Sequence, residues 1–174
     1  LGALSAGAVL VPLNTRFKGE EAAYILDKSG ARLTFVSPPF LGNDYPAMLD
    51  PRFDRVILEP SFWSSYDEAA PHVGSAEDIG DIIYTSGTTG RPKGCELSHG
   101  NFLFELGQVI HATGSESGLS TLFKEEDAST LLFLPLAHVF ARIIEVGCVM
   151  ARARMGHSAD IKNLMPDLAE FQPT

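Results

Sequence analysis

Apolar residues return with helical spacing in several stretches of this chain. In residues 20–29, Ala22, Ile25, Leu26 and Ser29 fall on one side while Glu21, Asp27 and Lys28 fall elsewhere, which predicts an amphipathic helix stopped by Gly30. Phe102, Leu106, Val109 and Ile110 predict a helix over residues 99–113 with Ser98 as its cap. Val139, Ile143, Val146, Gly147 and Met150 share a helical face over residues 139–150, and burial of Phe140, Ile144 and Cys148 would cover the opposite face as well. Ile161, Leu164, Met165 and Leu168 predict a last helix from residue 159, capped by Ser158 and kinked or restarted at Pro166.

Short apolar runs between these patterns read as strands: residues 8–12, 32–36, 55–58, 81–84, 95–97, 130–134 and 152–155. Pro12 and Pro135 end two of them, because proline has no N–H for a ladder. Residues 1–7 read as the last turns of a helix closed by Gly7, and residues 45–49 as a helical turn or two. Helix, glycine, strand is an α/β rhythm. Residues 59–80 are acidic, rich in proline and serine and aperiodic, and read as a surface connection pinned by Phe62, Trp63 and Tyr66. This divides the chain into an early α/β portion (1–58), the connection (59–80) and a later portion (81–174). Residues 114–118 interrupt a helix, and residues 124–127 form a solvent-facing charge run.

Charge narrows the function classes. Thirteen basic against 22 acidic residues give a formal charge of −9, and only Arg152 with Arg154 forms even a small basic pair, which argues against a nucleic-acid surface. The same charge opposes a polyanion, so any phosphate must be held by local donors. Cys95 and Cys148 have no metal-like spacing and read as reduced, buried thiols of a cytoplasmic protein. His111 and His157 lack metal partners at useful spacing. There is no signal-peptide pattern at the start, and the near-apolar run at 131–141 is too short to cross a bilayer. For 174 residues one domain is the expectation. Both ends read as cut, since Leu1 opens inside an apolar run and Pro173-Thr174 directly follows a helical pattern.

Candidate chemistry concentrates in Tyr84-Thr85-Ser86-Gly87-Thr88-Thr89-Gly90-Arg91-Pro92-Lys93-Gly94, which holds three glycines, four aliphatic hydroxyls, an arginine and a lysine. This composition predicts a loop outside the core. Glycines let backbone N–H groups converge on an anion, hydroxyls add donors and the two cations add charge, a combination suited to a polyphosphate. An ordinary surface turn is the alternative. The spacing is not that of a P-loop ATPase: Gly87 is followed five residues later by Pro92, and Lys93 by glycine. Asn14, Thr15 and Arg16 form a polar turn with a structural reading; Arg142 and Glu145 pair on one helix without catalysis; His99 and Asn101 organise the loop's exit.

The 84–94 stretch resembles the phosphate-binding signature of the adenylate-forming superfamily of acyl-CoA synthetases, luciferases and peptide-synthetase adenylation domains. Further blocks are similar in the same order: residues 4–14 before it, then Leu134-Pro135-Leu136-Ala137-His138-Val139-Phe140-Ala141-Arg142, residues 160–164 and Pro173-Thr174. They look most like bacterial long-chain fatty-acid–CoA ligases. The resemblance implies a three-layer α/β fold, with a mixed or mostly parallel sheet flanked by helices, forming part of a larger N-terminal domain. It implies that Thr85, Ser86, Gly87, Thr88, Thr89 and Gly90 enclose the distal phosphates of ATP with Lys93 nearby, that Thr85 is a candidate magnesium contact, and that His138 and Phe140 line the acyl and adenylate site.

The implied reaction joins a fatty acid to AMP with release of pyrophosphate, then passes the acyl group to coenzyme A. Loading of a carrier protein is the alternative acceptor, and a non-catalytic folding or self-association module, pairing through exposed edges, is the alternative of another class. The implied setting is cytoplasmic, with peripheral membrane contact for the whole protein. The superfamily's adenine segment, its magnesium-holding glutamate and its C-terminal lysine have no counterpart here, so these residues alone are expected to be inactive.

Overall fold

The structure, a computed structural model, describes residues 1–64, 69–85, 90–111 and 127–174. The chain divides into two units, residues 1–74 with 80–96 and residues 75–79 with 97–174, taken in turn below.

In the first unit, helix α1 (Gly2–Ser5) ends ahead of Gly7, whose φ of +73° and missing Cβ admit the ring of His72; a Cβ there would lie 2.7 Å from that ring. The strand expected at 8–12 reduces to one parallel bridge, Leu10 with Asp81, made by Leu10 N–H to the Gly80 carbonyl and Ile82 N–H to the Leu10 carbonyl, both 2.8 Å. Pro12 closes off the pairing on its C-terminal side. The polar turn after it is structural as expected: Asn14 Oδ1 accepts from Arg16 N–H at 2.9 Å, and the Thr15 carbonyl accepts from the Tyr45 hydroxyl.

Helix α2 (Gly19–Ser29) starts where Glu21 accepts from the Lys18 N–H at 2.8 Å and stops at Gly30 in the left-handed region. Its Ile25 and Leu26 are buried, each worth about 1.5–3 kcal/mol of transfer free energy. Strands β1 (Thr34–Val36) and β2 (Arg55–Ile57) pair in parallel, Thr34 opposite Arg55. A parallel pair needs a crossover, and helix α3 (Tyr45–Met48), capped by Asp44, lies in it. The Arg55 guanidinium ties the crossover to β2 by donating to the carbonyls of Pro46 and Leu49. Of the expected aromatic anchors, Phe62 stands edge-on to Phe35 with ring centroids 6.1 Å apart, on a 3-10 turn at Pro60–Ser64. The Trp63 side chain and Tyr66 lie outside what is described. Strands β3 (Ile79–Thr85) and β4 (Lys93–Ser98) pair with each other, each longer than its apolar run suggested.

In the second unit, helix α4 (His99–His111) is entered through a reciprocal cap: Ser98 N–H donates to Asn101 Oδ1 at 2.9 Å and Asn101 N–H to Ser98 Oγ at 3.3 Å. Phe102 and Leu106 are buried as predicted. The expected interruption at 114–118 and residues 124–126 of the charge run fall outside the described residues. Strand β5 (Ser129–Leu132), helix α5 (Val139–Ala151) and strand β6 (Arg154–His157) form a strand–helix–strand unit with Ser129 opposite Arg154 and Leu132 opposite His157. At its start Ser129 N–H donates to Thr174 Oγ1 at 2.9 Å, and Thr174 N–H donates to Ser129 Oγ at 3.2 Å.

The buried face of α5 is not the one its apolar residues suggested. Val139, Phe140 and Met150 are exposed, whereas Ala141, Arg142, Glu145, Gly147 and Cys148 are buried. Arg142 and Glu145 neutralise each other in an ion pair, so a face that reads as charged in sequence packs as core. Ser158 is likewise not the cap expected: Asp160 accepts from Lys162 N–H and caps a 3-10 turn at Ile161–Asn163. Helix α6 (Leu164–Phe171) begins after that turn, with Pro166 in its first turn, where a missing N–H costs nothing. Among the described residues no helix is long and apolar enough to cross a membrane.

The Arg142 and Glu145 side chains are 1% and 10% exposed, so removing one of them takes the counter-ion from a buried charge. Arg142→Met or Glu145→Leu alone is expected to cost about 3–5 kcal/mol in urea denaturation, and the double substitution to recover most of that loss.

Candidate functional site

Strand β3 carries the chain from core to surface. Gly80, Asp81, Ile83 and Tyr84 are buried, and Thr85 is exposed. The candidate loop is therefore not wholly outside the core, because its first residue, Tyr84, is only 8% exposed. Burial pushes the Tyr84 phenol above its ordinary pKa, and the nearby Tyr24 adds to the shift. Across from it, a Cβ on Gly94 would lie 2.9 Å from Ile82 Cγ2 and 3.1 Å from Tyr84 Cζ. Glycine at 94 is thus the residue that lets β4 lie this close to the side chains of β3.

Thr85 ends β3 with its side chain at the surface, and Lys93 opens β4, also exposed. Among the described residues no atom lies within 4 Å of a Cβ built at Gly90. Ser86, Gly87, Thr88 and Thr89 lie outside the described residues. Arg91 is committed to a neighbour: its guanidinium carbon stands 5.1 Å from the centroid of the Tyr24 ring on α2. Exposed hydroxyl, unobstructed glycine and exposed ammonium are donors and charge of the kind a polyphosphate takes.

His138 and Phe140 belong to the second unit. His138 occupies the N-cap position of α5, exposed, with its side chain making no capping bond and its N–H donating to the Pro135 carbonyl at 2.9 Å. Phe140, 44% exposed, follows in the first turn. His138 is therefore a helix-start residue, set beyond β5 by the turn through Pro135. His99 and Asn101 do shape the exit of β4, through the Asn101 cap and the His99 N–H to the Asp78 carbonyl at 3.0 Å.

Three features were not legible in the sequence. Tyr24 has no motif to mark it as the partner of Arg91. Cys95 is exposed, against the expectation of two buried thiols, because β4 turns residues 93–96 to the surface; only Cys148 is buried. A cavity of about 150 Å³ in the first unit, bounded by Leu13, Phe17, Ala22, Phe35, Met48 and others, includes none of the predicted site residues. Among the described residues no three His, Cys, Asp or Glu side chains gather as a metal site.

A glycine- and hydroxyl-rich segment joining two paired strands, in a chain of strand–helix–strand units, defines an α/β protein with a candidate anion-holding turn. The chain belongs to the family of AMP-binding enzymes, which it matches over residues 1–174. It is 34% identical over 194 aligned residues to the long-chain-fatty-acid–CoA ligase FadD15 of Mycobacterium bovis, covering 98% of this chain and 30% of that protein. Among solved structures it is similar to o-succinylbenzoate CoA synthetase of Bacillus subtilis in complex with a product analogue (20% identity, TM-score 0.75, 99% of this chain and 34% of that one). It is also similar to the N-terminal domain of FACL13 from Mycobacterium tuberculosis (25% identity, TM-score 0.73, 99% of this chain and 44% of that one). The chain thus has the mixed α/β, three-layer fold of an AMP-binding N-terminal domain, and spans about a third of the length of the curated relative.

The two thiols separate by burial. Burial first, and the Glu145 carboxylate second, push the Cys148 thiol up, so its reactive thiolate is scarce at neutral pH. Iodoacetamide at pH 8 is expected to alkylate Cys95 in the folded protein and Cys148 only after denaturation, read by peptide mass spectrometry.

Proposed function

We propose that the full-length protein is an adenylate-forming acid–CoA ligase, and that its acid is a long-chain fatty acid. The match of the whole chain to the AMP-binding family carries the first part. The 34% identity to a mycobacterial long-chain ligase supports the second. In this reading Thr85, Ser86, Gly87, Thr88, Thr89, Gly90 and Lys93 hold the β- and γ-phosphates of ATP, while His138 and Phe140 flank the acyl carboxylate and chain.

The chemistry asks little of a base. A fatty acid is ionised at neutral pH, so its carboxylate oxygen attacks the α-phosphorus without losing a proton, forming the acyl–AMP anhydride as the bond to pyrophosphate breaks. The residues must instead orient the triphosphate and stabilise charge on the departing pyrophosphate. Lys93 supplies a mobile point charge with three donors, and the hydroxyls supply weaker, directional ones. Thr85 would be the candidate among these residues to hold a magnesium ion, which would offset phosphate charge. Coenzyme A thiolate then displaces AMP from the acyl carbon.

The test is acid-dependent exchange of pyrophosphate into ATP by the full-length protein. Long-chain fatty acids should drive the exchange and o-succinylbenzoate should not, and Lys93→Ala should lower it about tenfold to a hundredfold, the worth of a charged hydrogen bond of about 1.5–3 kcal/mol. Equal exchange with and without any acid rejects the ligase reading; exchange driven by another acid rejects the fatty-acid assignment alone.

A further inference from the structure

The side chain of Arg91, in the described part of the candidate loop, reaches an aromatic ring on a firmly seated helix, α2. Tyr24 lies directly before Ile25 and Leu26, which are 0% and 3% exposed, so α2 cannot shift without opening the core. The Arg91 guanidinium lies 5.1 Å from the centre of the Tyr24 ring. Three residues on, the backbone at Gly94 approaches Ile82 and Tyr84 of β3 too closely for any Cβ. The loop's exit is thus fastened twice, by a side chain at 91 and by a backbone contact at 94. Between the fastenings stand only Pro92, whose ring fixes φ, and Lys93.

We propose that Tyr24 is a positioning residue for the nucleotide: by holding Arg91 it fixes the backbone from which Lys93 reaches the triphosphate. This rests on the reading of Lys93 as a phosphate contact in the proposed function. Without the ring, the exit is held only from Lys93 onward, by the pairing of β4 with β3, and Arg91 returns to solvent. A guanidinium stacked on a ring keeps its charge, so the contact orients the segment without removing positive potential from it.

Two measurements on the full-length protein test the proposal. Hydrogen–deuterium exchange at the amides of Gly90, Arg91, Lys93 and Gly94 should speed up in Tyr24→Leu and in Arg91→Met, and stay at the native rate in Tyr24→Phe, which keeps the ring. In acid-dependent exchange assays, Tyr24→Leu should raise KM for MgATP by about two- to fivefold, the worth of an exposed cation–π contact, with kcat and the KM for the acid unchanged. Tyr24→Phe should restore the native value, and the Tyr24→Leu/Arg91→Met double variant should be no worse than either single one. Unchanged amide exchange overturns the fastening whatever the enzyme does. Faster amide exchange with an unaltered KM for MgATP overturns its part in placing the nucleotide, as does an additive double variant. A native protein with no acid-dependent activity rejects the ligase reading instead, and amide exchange then decides the Tyr24–Arg91 contact by itself.

Discussion

The first unit depends on a steric constraint: β4 must lie close enough to β3 for their backbones to pair while β3 still carries bulky side chains. Glycine at 94 satisfies it, since any Cβ would sit within 3.1 Å of both Ile82 and Tyr84. That contact lets Tyr84 be buried and Thr85 be exposed one residue later. Binding groups are best held at the ends of paired strands such as these.

The second unit solves a different problem. Parallel β5 and β6 require a crossover, and α5 supplies it while burying two charged side chains. Burying a lone arginine would be costly; burying it beside Glu145 is tolerable because the pair is self-neutralising. The result orients α5 so that its first turn, with His138 and Phe140, stays at the surface.

Local signals carried much of this into the sequence. The Gly30 stop, the Ser98 cap and the Phe102/Leu106 stripe arise from chemistry within a few residues, and each appears where its spacing put it. The signature segment stood out in the sequence by composition, although its first residue, expected outside the core, belongs to it. What stayed hidden is set by partners distant in sequence. The α5 face was misassigned because apolar spacing alone does not show that Arg142 and Glu145, once paired, can be buried. Residues 8–12 looked like a strand because apolar composition says nothing of whether a partner strand is long enough to pair. Arg91 and Tyr24 carry no mutual signal, since stacking depends on where α2 and the loop meet.

The bonds between Ser129 and Thr174 span 45 residues, and Ser129 is almost wholly buried. A ribosome adding about 5–20 residues per second makes the threonine about 2–9 seconds after the serine. For that interval the N–H at the head of β5 has no hydroxyl to bond. Closure at the head of this strand therefore waits for Thr174 to be made, whatever the folding speed of the strand–helix–strand unit itself.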